Sequence, residues 1–163
     1  MITFNADEVF EMAEQIERDG AAYYRKAAEN FRGLDLSKVL RDLAAMEDDH
    51  ERTFRAMRLE LPPKLRTEDK FDPTGEGALY LHAMVQGKVF EPKADPARKL
   101  AGAEKPEDIL RTAIEMEKNS IVFYLTVKKM VRMAAGQVRI DEIIEQEMGH
   151  IAALSKQLAA VGN

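Results

Sequence analysis

Apolar and polar positions alternate along this chain with the period of helices. Apolar or small residues recur at Val9, Phe10, Ala13, Gly20, Ala21, Tyr24, Ala28 and Phe31, the three-and-four spacing of a helix that buries one face. One position within that stripe is charged, Glu17. Asn5 and Glu8 have the form of a capping box, and Gly33 closes the segment, so the pattern predicts a first helix over about residues 6–31. A second stripe, Leu36, Val39, Leu40, Leu43, Met46, His50, Phe54 and Met57, predicts a helix over about 36–60. Asp35 or Ser37 can cap its start. Pro62-Pro63 stops it, because proline donates no backbone hydrogen bond and restricts the residue before it.

The character then changes. Five of the six prolines fall between residues 62 and 105, among scattered Gly, Asp and Lys. Ala78-Leu79-Tyr80-Leu81-His82-Ala83-Met84-Val85 predicts one short amphipathic helix there. The remainder, about 61–105, reads as a crossover carrying the chain from one end of a bundle to the other, since a connection of that length needs such a reason. Pro106 fits the first turn of a third helix, with Glu107 and Asp108 complementing its positive end. Its stripe is Ile109, Leu110, Ala113, Ile114, Glu117, Ile121, Tyr124 and Val131, and Gly136 closes it, giving about 106–134. Val138, Ile140, Ile143, Ile144, Glu147, His150, Ile151, Leu154 and Leu158 predict a last helix over about 138–160, with Gly162 at its end. The expectation is an all-α chain of two helical hairpins, about 6–60 and 106–160, packed about a pseudo-two-fold axis.

Composition narrows this picture. With 163 residues, 45% of them hydrophobic, the chain can bury the core of one domain spanning 1–163. It has no cysteine, which removes disulfides, thiol catalysis and cysteine-ligated zinc or iron–sulfur sites and fits a reducing cytoplasm. A net charge of −5 argues against a nucleic-acid binder. The N-terminus shows no signal-peptide pattern, and no stretch approaches the apolar length of a membrane span.

The chemistry lies in a repeat. Glu47-Asp48-Asp49-His50 and Glu147-Met148-Gly149-His150 are both Glu-x-x-His, 100 residues apart, and use two of the three histidines. Thirty residues before each stands a matching element: Glu17, a small residue at Gly20 and Tyr24, then Glu117, Ser120 and Tyr124. Glu and His three apart share a helix face. At a rise of about 1.5 Å per residue, Glu17 lies roughly 21 Å from the end of its helix, and Glu47 and His50 lie roughly 16–21 Å into the next. In an antiparallel hairpin they are level, and the second hairpin repeats the match. Packed face to face, the hairpins bring four carboxylates and two imidazoles together. Such a group in an apolar interior must protonate or take up cations. Two divalent ions balance four glutamates, and mixed oxygen and nitrogen donors suit iron or manganese. His82, in the crossover, is read as surface or packing, and the nine methionines as core.

On these residues (IERDGAAYY, MEDDH, EMEKNSIVFY and EQEMGH) the chain resembles the ferritin-like di-iron superfamily, in its rubrerythrin-like branch lacking the rubredoxin domain, over nearly its whole length. The resemblance implies a ferritin-like antiparallel four-helix bundle whose metal ligands are Glu17, Glu47, His50, Glu117, Glu147 and His150, with Tyr24 and Tyr124 close by. It implies two iron ions, with manganese or a mixed pair as variants, that react with O2 or hydrogen peroxide using electrons from a separate rubredoxin-type donor. A ferroxidase, iron-storage or delivery protein is the alternative; a metal-stabilised structural or regulatory bundle is a third. A homodimer is expected. One departure stands out: rubrerythrins carry an additional glutamate three residues after the third-helix ligand, where this chain has Ser120.

Overall fold

The computed structural model describes residues 5–67, 104–131 and 134–161, with positions 79, 97, 100 and 102 between them. Among the described residues the regular structure is helical: α1 Ala6–Asn30, α2 Asp35–Leu59, α3 Pro63–Thr67, α4 Pro106–Met130 and α5 Ala134–Val161. The short helix expected over 78–85, His82 and most of the crossover lie outside the described residues.

The helix starts show which local signals were used. Asn5 Oδ1 accepts from the Glu8 amide at 2.9 Å, and Glu8 Oε2 accepts from the Asn5 amide at 2.9 Å, a complete capping box of the kind worth about 1 kcal/mol. Gly33 turns the chain with φ 83°, a conformation that costs glycine no steric strain. At α2 the expected side-chain cap is absent. Leu34 occupies the cap position with no side-chain bond to offer, and Asp35 is the first helical residue, where its charge still favours the positive end. Ser37 Oγ instead donates to the Ala28 carbonyl at 2.9 Å, tying the start of α2 to the end of α1. Pro106, Glu107 and Asp108 open α4 as expected.

Two boundaries differ from expectation. The α2 helix does end before the proline pair, but Pro63 then begins α3, as a residue lacking an amide donor can. Leu61 and Leu65 pack there against the core. The α4–α5 turn comes earlier than Gly136 suggested: α4 ends at Met130, and Gly136 lies within α5. A Cβ on Gly136 would sit 2.8 Å from Val131 Cγ1. The glycine therefore marks the close approach of α5 to a buried valine, not a chain stop. Val138, expected to face inward, is 55% exposed; it stands two residues, about 200°, from Ile140 on the buried stripe.

The core forms two apolar clusters. One joins Val9, Phe10, Phe54, Met57, Val127, Ile140 and Ile143; the other joins Tyr23, Ala27, Leu36, Leu40, Ile109, Leu110 and Leu154. Full burial of each large apolar side chain contributes about 1.5–3 kcal/mol. These groupings fix the topology. The first cluster holds the start of α1, the end of α2, the end of α4 and the start of α5; the second holds the opposite ends. Each hairpin is antiparallel, and α1 against α4 and α2 against α5 are antiparallel as well. The end of α2 and the start of α4 thus lie at opposite ends of the bundle, so the chain between them has to run its length. Glu17, Glu47, His50, Glu117, Glu147 and His150 occupy the middle level, between the two apolar clusters.

A buried carboxylate–histidine centre

Four helices supply the six side chains: Glu17 from α1, Glu47 and His50 from α2, Glu117 from α4, Glu147 and His150 from α5. None is more than 4% exposed. Helical spacing puts Glu and His of each Glu-x-x-His on one face, and that face is the one the apolar stripes turn inward.

The geometry is a pair of overlapping rings. His50 Nδ1 lies 3.0 Å from Glu147 Oε1, 3.4 Å from Glu17 Oε2 and 3.8 Å from Glu47 Oε2. His150 Nδ1 lies 2.9 Å from Glu147 Oε2, 3.0 Å from Glu47 Oε1 and 3.4 Å from Glu117 Oε1. Glu17, Glu47, His50 and Glu147 each offer a donor atom within 4.8 Å of the others, and so do Glu47, Glu117, Glu147 and His150. Glu47 and Glu147 belong to both sets. The two imidazoles stack with centroids 5.5 Å apart and planes at 16°.

Two tyrosines cross between hairpins. Tyr24 on α1 donates its hydroxyl to Glu117 Oε1 on α4, and Tyr124 on α4 donates to Glu17 Oε1 on α1. Each fixes one oxygen of a glutamate, and the other oxygen of Glu17 has no hydrogen-bond partner. Burial is the largest cause that holds both phenols well above their ordinary pKa, and the glutamate charges add to it; they are donors at any ordinary pH.

Proton placement follows from crowding. Burial first, then Glu47, raises Glu17 well above the usual carboxylate range, and burial is also the largest cause raising Glu117. Burial alone would raise Glu47 and Glu147 too, but the close approach of Glu17 or Glu117 and of both histidines reverses it and lowers them. For the histidines burial works toward the neutral ring, yet the surrounding carboxylates outweigh it: His50 is raised strongly and His150 to about 12. These directions favour two neutral carboxyls, two carboxylates and two imidazolium rings, an electrically balanced set.

That balance does not satisfy the polar atoms. Glu17 Oε2, Glu47 Oε1, both oxygens of Glu147 and Nδ1 of both histidines are buried without a hydrogen-bond partner. Such orphans are costly in a protein interior. Here they face shared points between the helices, the donor set that a pair of divalent cations would complete, and charge matches when four protons give way to two such ions. The residues present fit a dinuclear site.

Sequence reasoning missed two neighbours, Gln146 and Glu14, and singled out Gly20 without its reason. Gln146 Oε1 lies 2.7 Å from His50 Nε2. Gly20 gives room to Glu47, whose Cγ and Oε2 are each 3.5 Å from where a Cβ would stand. Glu14, one turn before Glu17 and 2% exposed, meets Arg58 Nε at 2.6 Å and Arg18 at 3.5 Å. A buried polar residue one helical turn from a ligand was the available signal for Glu14; nothing in the sequence pointed to Gln146 beyond its place beside Glu147. Ser120 Oγ donates to the Met116 carbonyl at 3.1 Å and is turned back onto its own helix.

The sequence model of the family described as Rubrerythrin matches residues 8–158. Among solved structures, the chain is similar to a protein from Thermotoga maritima described as a ferritin-like diiron-carboxylate protein, at 20% identity and TM-score 0.71, covering 98% of this chain and 97% of that one. At that identity the likeness speaks for the fold. No curated protein is similar enough to match the chain. Among the described residues no helix is long and apolar enough to cross a membrane.

Proposed function

The chain belongs to the rubrerythrin family, and from that premise we propose that it is a non-haem dinuclear iron oxidoreductase that reacts with hydrogen peroxide or O2 and is re-reduced by a separate rubredoxin-type donor. One observation carries the reading: two overlapping donor sets share Glu47 and Glu147, and inward atoms of Glu17, Glu47, Glu147 and both histidines have no hydrogen-bond partner. In this reading Glu17, Glu47, His50 and Glu147 would hold one ion, and Glu47, Glu117, Glu147 and His150 would hold the other. Iron suits the mixed oxygen and nitrogen donors, as would manganese or a mixed pair.

A bound iron pair would supply the electron transfer to peroxide or O2 that no side chain here can perform. The chain's own residues bind, orient and exclude water. Tyr24 and Tyr124 hold one oxygen of Glu117 and Glu17, so the other oxygen keeps its direction. Both histidines present Nδ1 to the centre. Glu17 and Glu117 would give up protons on taking the role of ligands. The apolar clusters at either end close the centre along the bundle axis. We take residues 1–163 as one domain working in the cytoplasm as a homodimer. The exposed Val122, Leu125 and Met148 on the second hairpin support an association face, and sedimentation would give the mass.

Anaerobic ferrous protein mixed rapidly with peroxide and with O2 tests the reaction. Oxidation far faster than that of free ferrous ion is expected; no acceleration with either oxidant would count against it. A ferroxidase, storage or delivery role is the second reading. It is favoured by Ser120, which bonds to Met116 where the rubrerythrin resemblance expects a further carboxylate. Sustained oxidation of many ferrous ions per chain, with O2 outpacing peroxide, would select it.

A further inference from the structure

The two histidines are held differently. His50 turns Nδ1 to the carboxylates, and its outer nitrogen, Nε2, meets the side-chain carbonyl of Gln146 at 2.7 Å. His150 also turns Nδ1 inward, but its Nε2 is buried with no hydrogen-bond partner. The sequence register explains the difference. Gln146 immediately precedes Glu147 on α5 and reaches across to the histidine of α2. The residue that immediately precedes Glu47 on α2 is Met46, whose thioether is a weak acceptor.

A neutral imidazole that gives its Nδ1 lone pair to a metal carries its proton on Nε2. For His50 that proton points at an amide oxygen, which fixes the tautomer and the ring and makes Nδ1 more basic. For His150 the same proton is a buried donor with no acceptor among the described residues. Coordination through Nδ1 of His150 therefore leaves a polar group unsatisfied that coordination through His50 does not.

We propose that Gln146 is a positioning residue that makes the two metal positions unequal. The position served by Glu17 and His50 is the tighter; the position served by Glu117 and His150 is the looser, because His150 Nε2 has no acceptor and the residue in register with Gln146 is Met46. The inference rests on the dinuclear reading above and adds an order of filling and of loss: the Glu117–His150 position fills second and empties first.

Anaerobic calorimetric titration of the metal-free protein with cobalt(II) chloride, followed in parallel by visible absorbance, tests it without any turnover. The wild-type protein should bind in two steps at least about tenfold apart in affinity. Gln146→Met should weaken the tighter step by about 10- to 100-fold, and Gln146→Glu, which keeps an acceptor, should restore it. Met46→Gln should tighten the looser step by about tenfold and draw the two together. That gain cannot come from damaged folding. Two equal steps in the wild-type protein, or a Gln146→Met change that leaves both steps where they were, would overturn the inference while leaving a dinuclear site standing. Absence of cobalt uptake by the wild-type protein would overturn the dinuclear reading itself.

Discussion

The first hairpin, α1–α2, and the second, α4–α5, run in register at an offset of 100 residues, and their buried positions can be compared pair by pair. Leu40 and Ile140, Leu43 and Ile143, Phe54 and Leu154, Ala13 and Ala113 are buried in both. So are the two Glu-x-x-His pairs, Glu17 with Glu117, and Tyr24 with Tyr124. The differences lie around that shared frame. Glu14 and Arg58 form a buried ion pair in the first hairpin, where the second has Ile114 and Leu158. Tyr23 donates to the Ile109 carbonyl at 3.1 Å, where the second has Phe123. Gln146 holds a histidine, and Met46 does not. The lesson is that the six residues of the centre and the two tyrosines are the same in both halves, while the residues one step behind them differ. Symmetry sets the donor set; asymmetry sets how firmly each donor is held.

The largest break in the comparison should come from the shared ligands. Glu47→Ala or Glu147→Ala removes a donor from both sets. Metal affinity should fall at least about a hundredfold at both positions, since even residues behind the ligands matter by 10- to 100-fold. Glu17→Ala or Glu117→Ala should cost chiefly one ion. Metal analysis after dialysis distinguishes the two patterns.

Next come the paired core positions. Phe54 is fully buried and tilts against Tyr124, ring centroids 4.8 Å apart. Phe54→Ala should cost about 3–5 kcal/mol, about 10 °C in Tm, and Leu154→Ala somewhat less, measured by thermal melts. Arg58→Ala should also destabilise, by about 2–3 kcal/mol, because it strips a buried carboxylate of its main partner; the partial exposure of Arg58 keeps this below the full cost. Transplanting the second hairpin's solution sharpens the point. Glu14→Ile with Arg58→Leu should be near neutral or stabilising, since well-packed apolar residues can replace a buried ion pair.

Acidity offers a change of sign. In the metal-free protein His50 and His150 keep protons that an unfolded histidine loses near its ordinary pKa of 6.5. The folded form then binds more protons than the unfolded chain. The histidines' contribution to metal-free stability is therefore fully present below that value and is lost as pH rises from about 6.5 toward 12. Glu17 and Glu117, also raised, act in the same direction from the carboxylate range upward. Metal uptake displaces these protons, so metal-dependent stabilisation should grow with pH. A stability gap between the two forms that widens in melts from pH 6 to 9 is the expected outcome. The smallest effect should come from Tyr24→Phe and Tyr124→Phe, each about 1 kcal/mol and nearly equal, because the two bonds are mirror images across the hairpins.

The fold and the clustering of the six polar residues were legible in the sequence because helical period and helical rise are both regular. A carboxylate recurring on an apolar stripe, at matching heights in two antiparallel hairpins, leaves little freedom in where it lands. Turns were less legible. Gly136 looked like a stop and proved to be a close packing contact with Val131; sequence records that a small residue is needed, not why. Asp35 and Ser37 both suit a cap, and the structure uses neither, because Ser37 is drawn to the Ala28 carbonyl by the packing of α1 on α2. Gln146 and Glu14 were missed for one reason. Their partners, His50 and Arg58, lie 96 and 44 residues away, and nothing local announces such a meeting.

The central claim is that the six residues form one dinuclear centre. Anaerobic reconstitution of the metal-free protein with ferrous ion, followed by iron and protein analysis after gel filtration, tests it most directly. The account predicts two iron ions retained per chain, and loss of both in Glu147→Ala. Retention of none by the wild-type protein, or equal retention with and without Glu147, would contradict it.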